Sequence, residues 1–126
     1  MSTEPRKKIL IADDAGPVVV LCVNVLQALG YTVKGANNGE AALAHLRREA
    51  FDLLVVDYKM PGMTGFQVLE QAREIHPDIP SVLVTGHGTP EVMKEAAKMS
   101  FDAILLKPFT SNEPRTTVDQ VLRGRG

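Results

Sequence analysis

The residues best equipped for chemistry are Asp13, Asp14, Asp57, Thr85 and Lys107, and each closes or directly follows a short apolar run. Lys8-Ile9-Leu10-Ile11-Ala12 leads into Asp13-Asp14, and Leu53-Leu54-Val55-Val56 leads into Asp57. The run from Ile79 ends in Thr85, and Ala103 to Leu106 leads into Lys107. Clustered carboxylates repel one another and raise one another's pKa unless a cation joins them. An oxygen-only donor set of that kind suits a hard divalent ion, Mg²⁺ in particular, held with several waters. A hydroxyl and an ammonium beside such an ion are the groups a phosphoryl oxygen needs. Singly, each residue has a plainer reading. Asp57 begins a turn, Asp13 caps a helix, Thr85 ends a strand and Lys107 is a surface lysine before a proline. Whether they converge depends on the elements that carry them.

The run Leu53–Val56 has no polar alternation, which predicts a strand covered on both faces. After Asp57 come a turn at Met60-Pro61-Gly62 and then Thr64-Gly65-Phe66-Gln67, the spacing of a capping box. Asp57 therefore stands between a buried strand and a helix. The same alternation recurs along the chain. Lys8–Ala12 predicts a first strand, and Val18, Cys22, Val25, Leu26 and Leu29 form one face of a first helix that stops at Gly30. Tyr31–Ala36 is short and mixed, as an edge strand is. Asn37 with Glu40 predicts the cap of a second helix, whose inner stripe is Ala42, Leu43 and Leu46. Arg47 and Arg48 close that helix as a solvated last turn. Val68, Leu69, Ala72 and Ile75 line a third helix that ends at His76-Pro77. Ile79–Thr85 is a fourth strand, with Pro80 near its start. Thr89-Pro90-Glu91 supplies an N-cap, a proline at the first helical position and an acid in the first turn. Val92, Ala96 and Met99 then face inward. Ala103–Leu106 is the fifth strand. A last helix begins near Asn112 and carries a thin apolar face of Val118, Val121 and Leu122.

Five strands alternate with five helices through short connections. That predicts a parallel sheet with helices on both faces. Right-handed crossovers leave few topologies, and the order 2-1-3-4-5 is the common solution at this size. Strands 1 and 3 are then neighbours at the switch point, where ligands bind outside the carboxyl ends of the strands. Asp13, Asp14 and Asp57 would share that crevice, overhung by Thr85 and Lys107. The 126 residues, 44% hydrophobic and 23% charged, fit a single soluble domain. A net charge of −1 offers no basic field for nucleic acid or an anionic membrane. No apolar run approaches the roughly 20 residues that span a bilayer. The single cysteine, Cys22, excludes an internal disulfide, fits a reducing compartment and reads as a small buried hydrophobe. His45, His76 and His87 have no metal-ligand spacing.

In this order the pieces resemble the receiver domain of two-component response regulators. The resemblance spans about residues 8–122. It rests on Asp13-Asp14 after an apolar strand, on Asp57-Tyr58-Lys59-Met60-Pro61 with Gly65, on Thr85-Gly86 and on Lys107-Pro108-Phe109. It implies a doubly wound, flavodoxin-like (βα)5 fold. It also implies that Asp57 is the phosphoacceptor for a sensor histidine kinase or phosphotransfer protein. Mg²⁺ would be bound directly by Asp14 and Asp57, through water by Asp13, and by the backbone carbonyl of Lys59. Lys107, ahead of a cis proline, would pair with the carboxylate and then with the phosphoryl group. Thr85 would bond a phosphoryl oxygen and draw its loop inward. Lys59 and His87 would tune the lifetime of the phosphoryl group. The family carries Tyr or Phe where this chain has Ile104, so smaller shifts of loop 86–90 and of the fourth helix would carry the signal.

An aspartyl-phosphate phosphohydrolase would place a second Asp two residues after the nucleophile, where this chain has Lys59. A flavin or dinucleotide binder would need a glycine-rich turn after the first strand, and Ala15-Gly16-Pro17 does not supply it. A metal-free interaction module would have no use for the intact acidic set. The expectation is therefore a cytoplasmic signalling module rather than an enzyme, with no direct contact to nucleic acid or membrane. Residues 1–7 would form a polar arm and residues 123–126 a frayed end or linker. Output would pass to an effector protein, or to an output domain beyond this sequence.

Overall fold

A computed structural model describes residues 6–125; residues 1–5 of the expected arm and Gly126 lie outside the described residues. Five strands, β1 (Lys8–Ala12), β2 (Thr32–Ala36), β3 (Leu53–Asp57), β4 (Ser81–Thr85) and β5 (Ala103–Leu106), form one sheet in the order β2-β1-β3-β4-β5. Every pairing is parallel. The helices are α1 (Gly16–Ala28), α2 (Gly39–Arg48), α3 (Gly65–Ile75), α4 (Pro90–Lys98) and α5 (Asn112–Arg125).

Strand side chains alternate between two hydrophobic clusters, which is why the strands read as unbroken apolar runs. Leu10, Leu54, Val56 and Leu83 pack under α2, α3 and α4, with Leu43, Leu46, Val68, Leu69 and Ala96. Ile9, Ile11, Leu53, Val55, Val82 and Leu105 pack under α1 and α5, with Cys22, Leu26, Val118 and Leu122. Most of these side chains are fully buried, each contributing on the order of 1.5–3 kcal/mol of transfer free energy.

The helix ends show where local chemistry sets the frame. Thr64 and Gln67 close a full capping box on α3, with Oγ1 of Thr64 accepting from the Gln67 N–H and Oε1 of Gln67 accepting from the Thr64 N–H. Thr89 caps α4 and Pro90 opens it, as expected. The cap of α2 is Asn38 rather than Asn37. Asn38 is the residue with extended backbone, and its Oδ1 accepts from the Ala41 N–H at 2.7 Å. Helix α1 ends in a Schellman turn, with the Gly30 N–H on Gln27 O and the Tyr31 N–H on Leu26 O, and Gly30 takes φ of +97°. Leu29, expected on the buried stripe, is instead 40% exposed, because it is the cap residue and stands past the last helical turn. Helix α5 starts at Asn112 as expected and runs to Arg125, so it includes residues 123–125 of the segment read as a frayed end or the start of a linker.

Cys22 is buried within the cluster under α1, and burial, with Asp13 adding to it, pushes its thiol up to about 11. A thiol reagent at pH 8 should therefore leave native Cys22 unmodified. Labelling should begin at the denaturant concentration where helical circular dichroism is lost. Labelling well below that transition would show instead that α1 opens on its own.

Candidate functional site

The carboxyl ends of β1, β3, β4 and β5 meet at one edge of the sheet. Asp57 is the last residue of β3 and is buried. Asp13 follows β1, is 2% exposed, and is fixed twice. Its own N–H donates to Ala36 O, and its Oδ1 accepts from the Ala15 N–H at 2.9 Å. Asp14, next along, is exposed. One carboxylate oxygen from each of Asp13, Asp14 and Asp57 lies within 4.8 Å of the others. Lys107 reaches the cluster from the end of β5. Its Nζ stands 3.0 Å from Asp13 Oδ2 and 3.2 Å from Asp57 Oδ1. The Lys107–Pro108 peptide bond is cis, as the sequence resemblance implied.

The electrostatics follow from this packing. Burial, then the Asp13 charge, raise the Asp57 carboxyl from 3.8 to about 6, against the pull of Lys107. Burial alone would lower the Lys107 ammonium, but the hydrogen bond and charge of Asp13, and then Asp57, hold it above its ordinary value. One ammonium thus faces three carboxylates. Asp13 Oδ2 is buried, and its one ion-pair partner among the described residues is the Lys107 ammonium at 3.0 Å, which it shares with Asp57. A buried acceptor left in that condition, within an all-oxygen donor set, is the environment a hard divalent cation fits. Clefts of about 390 Å³ between α3 and α4 and of about 380 Å³ at the amino ends of the strands lie away from the acidic cluster.

The remaining predicted residues line the same edge. Thr85 is buried at the end of β4, and its Oγ1 accepts from the His87 N–H at 2.8 Å. The Lys107 N–H donates to Thr85 O at 2.9 Å, which ties the ends of β4 and β5 together. Lys59 and His87 are exposed on the loops that flank the crevice. The backbone of Lys59 pairs with Thr64 in an isolated bridge, so the β3–α3 loop closes on itself. Two features of this region escaped the sequence reading. Met60, read as part of a turn, is buried in the core. Tyr58, Phe66 and Phe101 form a tilted aromatic stack beside Asp57, with centroids 5.1 and 6.0 Å apart. Aromatic residues so far apart in sequence carry no signal until the fold brings them together.

Two substitutions should move stability in opposite directions at pH 7 without divalent cations. Asp57→Asn removes a buried charge whose folded pKa is raised. The penalty that it relieves is absent below about pH 4, grows as pH rises through about 6, and is constant above that. Solvent reaches the rim of the crevice, so the gain at pH 7 should be about 1–2 kcal/mol, vanishing by pH 4. Lys107→Met leaves Asp13 and Asp57 unbalanced and should cost about 2 kcal/mol or more. Urea titrations of both variants at pH 4 and pH 7 check the signs.

Residues 9–119 match the description of the response regulator receiver domain. The chain is 34% identical over 117 residues to the chemotaxis protein CheY of Pseudomonas aeruginosa, covering 90% of this chain and 94% of that protein. It is 32% identical over 117 residues to sporulation initiation phosphotransferase F of Bacillus subtilis, covering 93% and 94%. It is 30% identical to the luminescence regulatory protein LuxO of Vibrio campbellii, over 90% of this chain but only 25% of LuxO, so it spans about a quarter of that relative's length. The structure superposes on a receiver domain protein of Methanospirillum hungatei with a TM-score of 0.90 at 28% identity, covering 96% of this chain and 97% of that one. On Vibrio cholerae CheY4 the TM-score is 0.87 at 29% identity, covering 93% and 99%. With its five parallel strands in the expected order and its acidic edge in place, the chain belongs to the response regulator receiver domain family, a signalling domain of two-component phosphorelays.

Proposed function

We propose that the chain accepts a phosphoryl group on Asp57 from a phosphohistidine donor and, by doing so, changes which partner its surface binds. The observation that carries this reading is the convergence of Asp13, Asp14, Asp57 and Lys107 at one edge of the sheet. Lys107 holds Asp57 Oδ1, which leaves the second carboxylate oxygen to attack phosphorus. The new bond is P–O to Asp57, and the bond that breaks is P–N to the donor imidazole. The imidazole leaves with the electron pair and takes up a proton. Hydrolysis later restores the carboxylate when water attacks phosphorus and the P–O bond breaks.

The residues that would hold Mg²⁺ are Asp14 and Asp57 directly, Asp13 through water, and the carbonyl of Lys59. When bound, the ion supplies charge neutralisation for the phosphoryl oxygens. The chain's own contribution is positional. Asp13 is fixed by two backbone bonds, and its buried carboxylate keeps Lys107 charged and aimed at the crevice. Lys107 then transfers its pairing from the Asp57 carboxylate to the phosphoryl group.

Thr85 supplies the switch. Its Oγ1 now accepts from the His87 N–H. Rotating the Thr85 side chain to bring its hydroxyl to a phosphoryl oxygen would carry Oγ1 away from the His87 N–H, and loop 86–89 would follow toward the crevice. A phosphoryl group adds about 1.5–2 negative charges at pH 7, so the contacts that favour the moved loop exist only in the phosphorylated form. Ile104, partly buried against the cluster under α4, occupies the place where the family carries an aromatic residue. Signal passage therefore runs through the loop and α4 rather than through a turning ring. Exposed Lys59 and His87 flank the path of water and would set the lifetime. The donor would be a sensor histidine kinase or phosphotransfer protein, and the switched surface would be read by an effector protein or by an attached output domain.

Intact mass after incubation with Mg²⁺ and a small-molecule phosphodonor tests the reading. One phosphoryl adduct is expected in the wild type, and none in Asp57→Asn or without Mg²⁺. A folded wild type that takes no adduct, from the small donor or from a phosphohistidine protein, overturns it. Hydrogen exchange tests the switch. The His87 amide should exchange faster on phosphorylation in the wild type. In Thr85→Ala, where the bond is missing, it should be fast in both states.

A further inference from the structure

The β3–α3 connection contains a contact that the presence of Asp57 does not explain. Gly65 is buried, and it is the first residue of α3. A Cβ built on it would lie 2.6 Å from Asp57 O, 3.1 Å from Asp57 C and 3.2 Å from Leu83 Cδ1. Two of those three atoms are backbone, so they cannot swing aside as the end of a side chain would. The requirement at Gly65 is one of space. Its φ lies outside the left-handed region, in contrast to Gly62 at the tip of the same loop, which has φ of +84° and nothing within 4 Å of a Cβ.

The surrounding bonds show what the close approach achieves. The Gly65 N–H donates to Tyr58 O at 2.8 Å, and the Tyr58 N–H donates to Val84 O at 2.8 Å. The backbones of Lys59 and Thr64 pair across the loop, and the capping box fixes the residues on either side of Gly65. The first turn of α3 is thus clamped against the last peptide of β3. Asp57 and Lys59 lie on the clamped segment, while Asp13 and Asp14 are held separately from β1.

We infer that Gly65 is a positioning residue for the cation site. By having no side chain, it lets α3 seat against the Asp57 peptide, and that seating sets the distance from Asp57 and the Lys59 carbonyl to Asp13 and Asp14. This rests on the phosphoacceptor reading of the crevice and adds the element that holds its geometry. Any side chain at position 65 pushes the Asp57 peptide away from α3 and spoils the spacing of the oxygens, separately from any loss of stability.

The test compares Gly65→Ala with Leu46→Ala in the full chain. Leu46 is a buried residue of α2 that has no part in the crevice, and its truncation controls for lost stability. Isothermal titration with Mg²⁺ and the rate of phosphoryl uptake from a small donor are the readouts. Gly65→Ala should bind Mg²⁺ about tenfold more weakly and take up phosphate correspondingly more slowly. Leu46→Ala, folded at the same temperature, should match the wild type in both. Wild-type values in Gly65→Ala, or an equal loss in Leu46→Ala, overturn the inference. If Gly65→Ala is unfolded in buffer, all three proteins are measured in trimethylamine N-oxide, which favours compact states by exclusion from the protein surface. A wild type that neither binds Mg²⁺ nor takes up phosphate would instead count against the phosphoacceptor reading itself.

Discussion

One ammonium group, Lys107 Nζ, stands between two buried carboxylates, and the arrangement of the domain's working edge depends on it. Without it Asp13 and Asp57 would face each other across a desolvated gap with no opposite charge between them. With it the pair stays close, but the balance is incomplete, since one positive charge serves Asp13, Asp57 and the exposed Asp14. Burial, and then the neighbouring Asp13 charge, keep the Asp57 carboxyl raised in spite of Lys107. A site left short of positive charge is one that a divalent cation completes. The cost is local instability at the edge, carried by a core whose apolar side chains are buried on both faces of the sheet.

The fold makes this affordable to build because the acidic residues stand at strand ends. Within β1 and β3 every residue from Ile9 to Ala12 and from Leu53 to Val56 is buried and apolar. The charged groups begin where the sheet ends and the loops start. Parallel pairing brings the strand ends side by side, with Ala12 opposite both Ala36 and Val56, and Asp57 opposite Val84. Backbone bonds thus carry Asp13 and Asp57 to the same edge, where Lys107 and the seating of α3 act on their final spacing.

That same economy explains how far the sequence could be read. Strands buried on both faces appear as unbroken apolar runs, and the residue that ends each run is conspicuous, so Asp13, Asp57, Thr85 and Lys107 stand out from the sequence alone. Capping signals were equally local, and Thr64 with Gln67 was legible for that reason. The errors have local causes too. Asn37 and Asn38 are chemically identical candidates, and only the backbone conformation selects the second. Leu29 keeps helical spacing but falls one residue past the last turn. What sequence spacing lacked altogether was information about approach distances. Gly65 could be matched to a motif, but its closeness to Asp57 O, and the stacking of Tyr58, Phe66 and Phe101, depend on how helices seat against the sheet.

The two hydrophobic clusters have one further consequence. The core under α1 and α5 and the core under α2, α3 and α4 are separated by the sheet, and the acidic edge draws on strands that belong to both. A ligand that binds only the folded edge adds its binding free energy to the unfolding of the whole domain, by RT ln(1 + [L]/Kd). Ion occupancy would therefore act as a thermodynamic rivet through both layers. Resistance to proteolysis of α5, on the α1 side of the sheet, would track the free divalent cation concentration even though none of its described side chains enters the acidic cluster.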